Sequence, residues 1–276
     1  MRKILIASFL LAGCSHAQTP PPQPTPIPTE SKSTSTPSAT EIKQSIIDYQ
    51  KVIAKSSGHS CYLESYKHRG TAPKQLVEGL IANFTQEVCS PSGASNATLG
   101  NSRKDALAHY KSPAKVENLY ALMIGSGMQE SSGGHDCGQD SDAPENRTGP
   151  KAEAGIFQTS YNSIAKSDEL KRTYEEAKAG KVECYSDRYV ACTGTDRASG
   201  FPRLKNWGEG EGVNFQALTK SCQGFAAKYH SIMLRVDRSH YGPINTKNAE
   251  MMPACVEMFS GLKDYISANK EICGRP

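Results

Sequence analysis

Neither a C-x-x-C pair nor an H-E-x-x-H motif occurs in this chain, so two common signatures of a zinc site are missing and no metal or other cofactor is expected. An excess of one charge is missing too: 32 basic residues stand against 28 acidic ones, which excludes the basic footprint of a nucleic-acid binder. Strand signals are scarce and no internal repeat is visible, which leaves helices to build the body. The apolar run "ILIASFLLAG", after Arg2 and Lys3, is too short to cross a bilayer as a helix. It fits instead the hydrophobic region of a secretory signal. The remaining composition, with 22% charged and 37% hydrophobic residues, is ordinary for a soluble globular chain and names no function.

The end of that run, "LLAGC", resembles the lipobox of bacterial lipoproteins, which implies removal of residues 1–13 and lipidation of Cys14 as the mature N-terminus. A plain secretory signal cleaved near "SHA" is the alternative. Once lipidated, Cys14 would hold the protein at a membrane surface through acyl chains. Ser15 in the next position is similar to enterobacterial lipoproteins that go to the outer membrane, so the expected place is its periplasmic face, or outside the cell after release. Residues 14–40 read as a tether: Thr19 to Thr40 hold seven of the sixteen prolines and almost no apolar side chains. Roughly twenty residues of extended polyproline, at ~3.1 Å each, reach up to ~60 Å from the anchor. Loss of Arg2 and Lys3 with the signal leaves 30 basic and 28 acidic residues, a net charge of about +2.

Eight cysteines follow Cys14, namely Cys61, Cys89, Cys137, Cys184, Cys192, Cys222, Cys255 and Cys273. An even count in an exported chain predicts four disulfides, with the pairing left open.

Residues 41–276 read as one mainly α-helical domain with long loops for those disulfides to brace. "EIKQSIIDYQKVIAK" and "APKQLVEGLIANF" carry apolar residues near helical spacing, and "VNFQALTKSCQGFAAKYHSIMLR" and "PACVEMFSGLKDYISANK" do so later. "CSPSGASNATLGNS" and "CTGTDRASGFPRLKNWGEGEG" read as loops. The clearest helix lies in "SPAKVENLYALMIGSGMQESSGG", where Val116, Leu119, Tyr120, Met123, Ile124, Gly127 and Met128 form a continuous apolar stripe. Gly125 and Gly127 cost ~1 kcal/mol each relative to alanine in a helix, so another backbone is expected to approach there.

Glu130 follows that stripe just where the helix gives way to "SSGG". A carboxyl group on a rigid element and partly withdrawn from water favours its protonated form, as a general acid requires. A solvated glutamate at the negative end of the helix dipole is the plain alternative. An acidic stretch comes next: Asp136, Asp140, Asp142 and Glu145 lie between His135 and Glu153, against Arg147 and Lys151.

Glu130-Ser131 and the later Gly155-Ile156-Phe157-Gln158 resemble the lysozyme superfamily, particularly goose-type lysozymes and lytic transglycosylases. There, a helix ends in E-S and a G-L-M-Q-like segment lines the sugar cleft. "ESSG", "AEAGIFQTS" and "HYGP" are also similar to motifs of a set of lysozyme-like secreted proteins. The likeness covers about residues 115–165 and 238–256. It implies a lysozyme-like helical fold and cleavage of the β-1,4 bond between N-acetylmuramic acid and N-acetylglucosamine in peptidoglycan, by a monomer whose partner is the glycan strand.

On that resemblance Glu130 is the general acid, the role of the corresponding glutamate in the lysozyme example of general acid catalysis. Ser131, Gly155 and Gln158 line the cleft, Tyr161 or Tyr241 places a hydroxyl near the reacting sugar, and His240 orients a cleft residue or is plainly structural. Glu153 is the first candidate for a second catalytic carboxylate because it immediately precedes the cleft segment; an exposed loop glutamate is the alternative. Asp140 and Asp142 are further candidates. Goose-type enzymes carry an aspartate just beyond the glutamine motif, where this chain has Ser160, so that role does not transfer directly. Two other functions stay open: a transglycosylase that leaves a 1,6-anhydro product, and a non-catalytic peptidoglycan-binding module. If the acidic stretch lines the cleft, glycan that has lost acetyl groups and carries protonated amines is the preferred substrate. Trp207, the single tryptophan, is a candidate for stacking on a sugar or for plain packing.

Overall fold

The computed structural model describes residues 47–90, 99–135, 148–184, 206–237 and 242–274, all within the unit Thr40–Pro276. The signal, Cys14 and the tether lie outside the described residues, as do Cys137 and Cys192. In chain order the helices are α1 (Tyr49–Ser56), α2 (Lys74–Cys89), α3 (Gly100–His109), α4 (Val116–Ser131), α5 (Asp168–Lys178), α6 (Glu211–Ser221), α7 (Gln223–Val236), α8 (Gly242–Asn245) and α9 (Pro253–Ala268). Two short antiparallel hairpins complete them, β1 (Ser65–Tyr66) with β2 (Gly70–Thr71), and β3 (Glu153–Ala154) with β4 (Thr159–Ser160). The domain is therefore mainly α, as expected.

Helix α4 is the hub because its sequence is apolar on nearly every side. Each residue from Val116 to Met128 is buried, and a helix with no polar face has to be wrapped by others. Helices α2, α3, α8 and α9 supply the wrapping. Gly125 shows how closely: a methyl group there would overlap the backbone amide and carbonyl of Glu250, in the segment leading to α9. The expected backbone approach is thus present at Gly125. At Gly127 the neighbours are side chains instead, with Ile156, Phe157 and Leu76 lying over it. Buried polar groups on this helix are mostly paired, as burial demands: Lys263 of α9 donates to Glu117 at 2.8 Å, and Tyr120 donates to Glu87 at 2.9 Å.

A second core is aromatic. Tyr174 of α5, Phe215 of α6, and Phe225 and Tyr229 of α7 pack with ring centroids 5.0 to 6.4 Å apart in edge or tilted contacts, the arrangement ring quadrupoles favour. Helix α7 belongs to both cores, sending Ala226, Ala227 and Leu234 toward the first and Phe225, Tyr229, Ile232 and Met233 toward the second. The continuous helical pattern read over 213–235 is broken here. Cys222 takes an extended conformation (φ −132°, ψ 97°) between α6 and α7 and is bonded to Cys184.

Two further disulfides join distant parts of the chain, Cys61–Cys255 and Cys89–Cys273, over 194 and 184 residues. Closing loops of that length removes much denatured-state entropy, about 5 kcal/mol for each bridge in the chain-entropy account. The first staples the turn before β1 to the start of α9, and the second staples the end of α2 to the C-terminal turn.

Candidate active site

Glu130 occupies the last turn of α4, one residue before the helix ends. The stop is local: Ser132 adopts a left-handed conformation (φ 55°), and its N–H and that of Gly133 return to the carbonyls of Met128 and Gly127 at 2.8 and 3.2 Å. This is what the "ESSGG" stretch does. Four residues earlier, and so on the same face of the helix, lies Ser126.

The segment carrying Gln158 is the β3–β4 hairpin, in which Glu153 pairs with Ser160 and Ala154 with Thr159. Its turn needs two left-handed residues, Gly155 (φ 76°) and Gln158 (φ 46°). A side chain at Gly155 would meet the Thr219 carbonyl at 2.8 Å, so the close approach glycine permits is to helix α6. Gln158, a residue type that pays for positive φ, is held there twice: its backbone N–H and its side-chain Nε2 both donate to the Gly155 carbonyl, at 3.2 and 2.8 Å.

Two contacts dock this hairpin on the helices. Ser131 donates from its hydroxyl to the Ile156 carbonyl at 2.9 Å, directly below Glu130 in sequence. Phe157 stacks flat on His230 of α7, with centroids 4.1 Å apart and planes within 4°. Beyond β4, Ser163 donates to the Ser160 carbonyl at 2.5 Å and lies 2.7 Å from the Tyr229 hydroxyl.

Together these elements enclose a cleft of about 170 Å³. Glu130 and Ser126 come to it from α4, Glu153 and Phe157 to Ser160 from the hairpin, Ser163 from the turn after it, His230 and Met233 from α7, and Gly242 and Pro243 from α8. Glu130 Oε1 lies 3.9 Å from where a Gly242 side chain would begin. The two carboxyl groups are thus joined by neutral polar groups and a few apolar ones, and no lysine or arginine of the described residues is among the lining. His230 is neutral: burial, reinforced by the Arg103 guanidinium, pushes its imidazole down to about 3. Its Nε2 is 3.5 Å from the Ser126 hydroxyl.

Of the residues singled out from the sequence, Glu130, Glu153 and Gln158 share this cleft. Ser131 lies beneath it as a tie, and Gly155 packs on α6. Tyr161 turns its ring into the aromatic core, against Tyr174 and Phe215 at 5.4 and 6.2 Å. Trp207 is fixed through its backbone, whose N–H and C=O both bond the buried Gln216 side chain. His240 and Tyr241 lie outside the described residues, as do Asp136, Asp140, Asp142 and Glu145. Ser126, Ser163, His230 and Met233 were not foreseen. Ser126 was accessible by counting one helical turn back from Glu130, whereas nothing near His230 in sequence marks it.

A second hollow of about 250 Å³ lies along α2, α3 and α7, but its charges satisfy one another. The buried Arg103 bonds Glu87 at 2.6 Å and the Ser231 carbonyl and hydroxyl, while Arg235 pairs with Glu169. No group of three or more potential metal-ligating side chains occurs among the described residues. Comparison of the chain with family models, with curated proteins and with solved structures gives no match.

Proposed function

We propose that this protein is a lysozyme-type muramidase that hydrolyses the β-1,4 bond between N-acetylmuramic acid and N-acetylglucosamine in peptidoglycan. One observation carries the reading: a glutamate at the end of a buried helix shares a single cleft with a second carboxyl group and a glutamine on a hairpin. Glycoside hydrolysis uses a pair of carboxyl groups flanking the bond, one protonating the leaving oxygen and the other activating water or attacking the sugar. Glu130 takes the first role and Glu153 the second. Gln158, fixed by its own turn, offers an amide to the sugar.

The lining also supports a substrate preference. A cleft lined by two acidic side chains favours amino sugars that have lost their acetyl group and carry a protonated amine. Lipidation at Cys14 would deliver the domain to the wall from a membrane, with the proline-rich tether as spacer. The disulfides fit an oxidising compartment, and no helix among the described residues is long and apolar enough to cross a membrane.

Glu130→Gln tests the assignment because it removes the transferable proton with almost no change in shape. Turnover of purified peptidoglycan is expected to fall by roughly 10²-fold or more, with thermal stability unchanged. Wild-type turnover in the variant would refute the role, and a joint loss of activity and stability would make Glu130 structural.

A further inference from the structure

His230 is the least expected member of the cleft, and its surroundings define what it does. It lies on α7, the helix shared by the two cores, and is only 6% exposed. One face of its ring is covered by Phe157 in a parallel stack, and Nε2 is directed at Ser126 of α4. The hairpin also packs on α6, where Gly155 lies against the Thr219 carbonyl. Its own ladder is two residue pairs long, and its turn is built on residues with positive φ. A ladder this short does not hold a fixed geometry alone. The residue before Phe157 is tied to α4 through the Ser131 hydroxyl. Neighbouring residues at the hairpin tip are therefore gripped by two different helices.

We propose that His230 is a positioning residue for glycan cleavage: by stacking on Phe157 and meeting Ser126, it fixes the β3–β4 hairpin so that Glu153 and Gln158 keep their places in the cleft with Glu130. This rests on the muramidase reading for its catalytic consequence, but the clamp itself does not. The ring contributes its flat surface, and burial keeps it uncharged, so it adds no cation to the two carboxylates. Reacting groups displaced by about 1 Å can lose 10²-fold in rate. Losing the clamp should therefore act mainly on kcat, through Glu153, with a smaller effect on affinity through Gln158.

The test compares wild type, His230→Ala and His230→Phe by amide hydrogen exchange over residues 153–160 and by peptidoglycan turnover. His230→Ala is expected to speed exchange of the Gln158 amide, leave protection in α2 and α4 intact, and lower kcat by roughly 10- to 100-fold with KM changed far less. His230→Phe keeps a flat ring and is expected to restore most of the protection and of kcat. If exchange in the hairpin is the same in His230→Ala as in wild type, the clamp does not exist. If His230→Phe behaves like His230→Ala, the imidazole nitrogens matter and the stack does not, which overturns the proposal equally. Loss of protection throughout the domain would mark His230 as merely structural. If the wild-type protein does not cleave peptidoglycan at all, the muramidase reading fails, while the exchange data still decide whether His230 holds the hairpin.

Discussion

At the scale of single residues, burial of two imidazoles makes a pH-dependent prediction with a definite sign. His135, fully buried after α4 with neither ring nitrogen hydrogen-bonded, is pushed down by desolvation to about 4, and His230 to about 3. In the unfolded chain both would titrate near ~6.5. The unfolded state therefore binds more protons below that pH, and native stability is lost as pH falls from about 6.5 toward about 4, where His135 begins to protonate, and on to about 3 for His230. Between pH 7 and 5 the cost is about 2 kcal/mol for each imidazole. Urea unfolding at those two pH values should show it, and His230→Phe should remove about half of the difference. A stability independent of pH across this range would mean that the rings are solvated. Residues also show where sequence reading stops. Glu130 is marked by the apolar stripe before it, a local signal. The role of His230 depends on Phe157, far away in the chain, and no periodicity records such a contact.

At the scale of elements, α4 was legible because its hydrophobic pattern is continuous, and the glycines interrupting that pattern proved informative. Gly125→Ala separates two effects of opposite sign. Helix propensity alone predicts a gain of ~1 kcal/mol. The overlap with the Glu250 backbone predicts a loss, because a backbone atom cannot move aside as a side-chain tip can. Overpacking of this kind costs typically 1–3 kcal/mol or more, so the variant is expected to be less stable by about 1 kcal/mol or more, read from its denaturant midpoint. A more stable variant would contradict the packing described for the helix. Helix α5 carried a signal that went unused: Ser167 caps it by accepting the Leu170 N–H at 3.2 Å, with Asp168 and Glu169 in the first turn. Helix α3 was harder to see, since its residues are mainly polar and it is anchored through the buried Arg103 rather than an apolar stripe. The break at Cys222 was invisible in the local pattern, which gives no sign that this residue is extended and bonded to Cys184, 38 residues earlier.

At the scale of the whole molecule, disulfides and cores divide the work. The bridges over 194 and 184 residues join the turn before β1 to α9 and the end of α2 to the C-terminal turn, and no spacing rule reveals such partners in advance. The count of cysteines was legible, and the pairing was not. Alkylation of the exported protein without reduction, followed by mass measurement, should leave Cys61, Cys89, Cys184, Cys222, Cys255 and Cys273 unlabelled. The same experiment tests the expectation of a fourth bridge at Cys137 and Cys192, which requires that neither is labelled. Free thiol at any of the first six in folded material would contradict the structure.

The central claim, that a carboxyl pair in one cleft hydrolyses the glycan, is tested most directly by the masses of fragments released from purified peptidoglycan by wild type and Glu130→Gln. Hydrolysis adds a water across the cleaved bond and leaves a reducing end, whereas a transglycosylase leaves a 1,6-anhydro end one water lighter. The account predicts reducing ends from the wild type and no fragments from the variant. Anhydro ends would leave Glu130 as the acid but remove Glu153 from the chemistry, and fragments from the variant, or none from the wild type, would contradict the claim altogether.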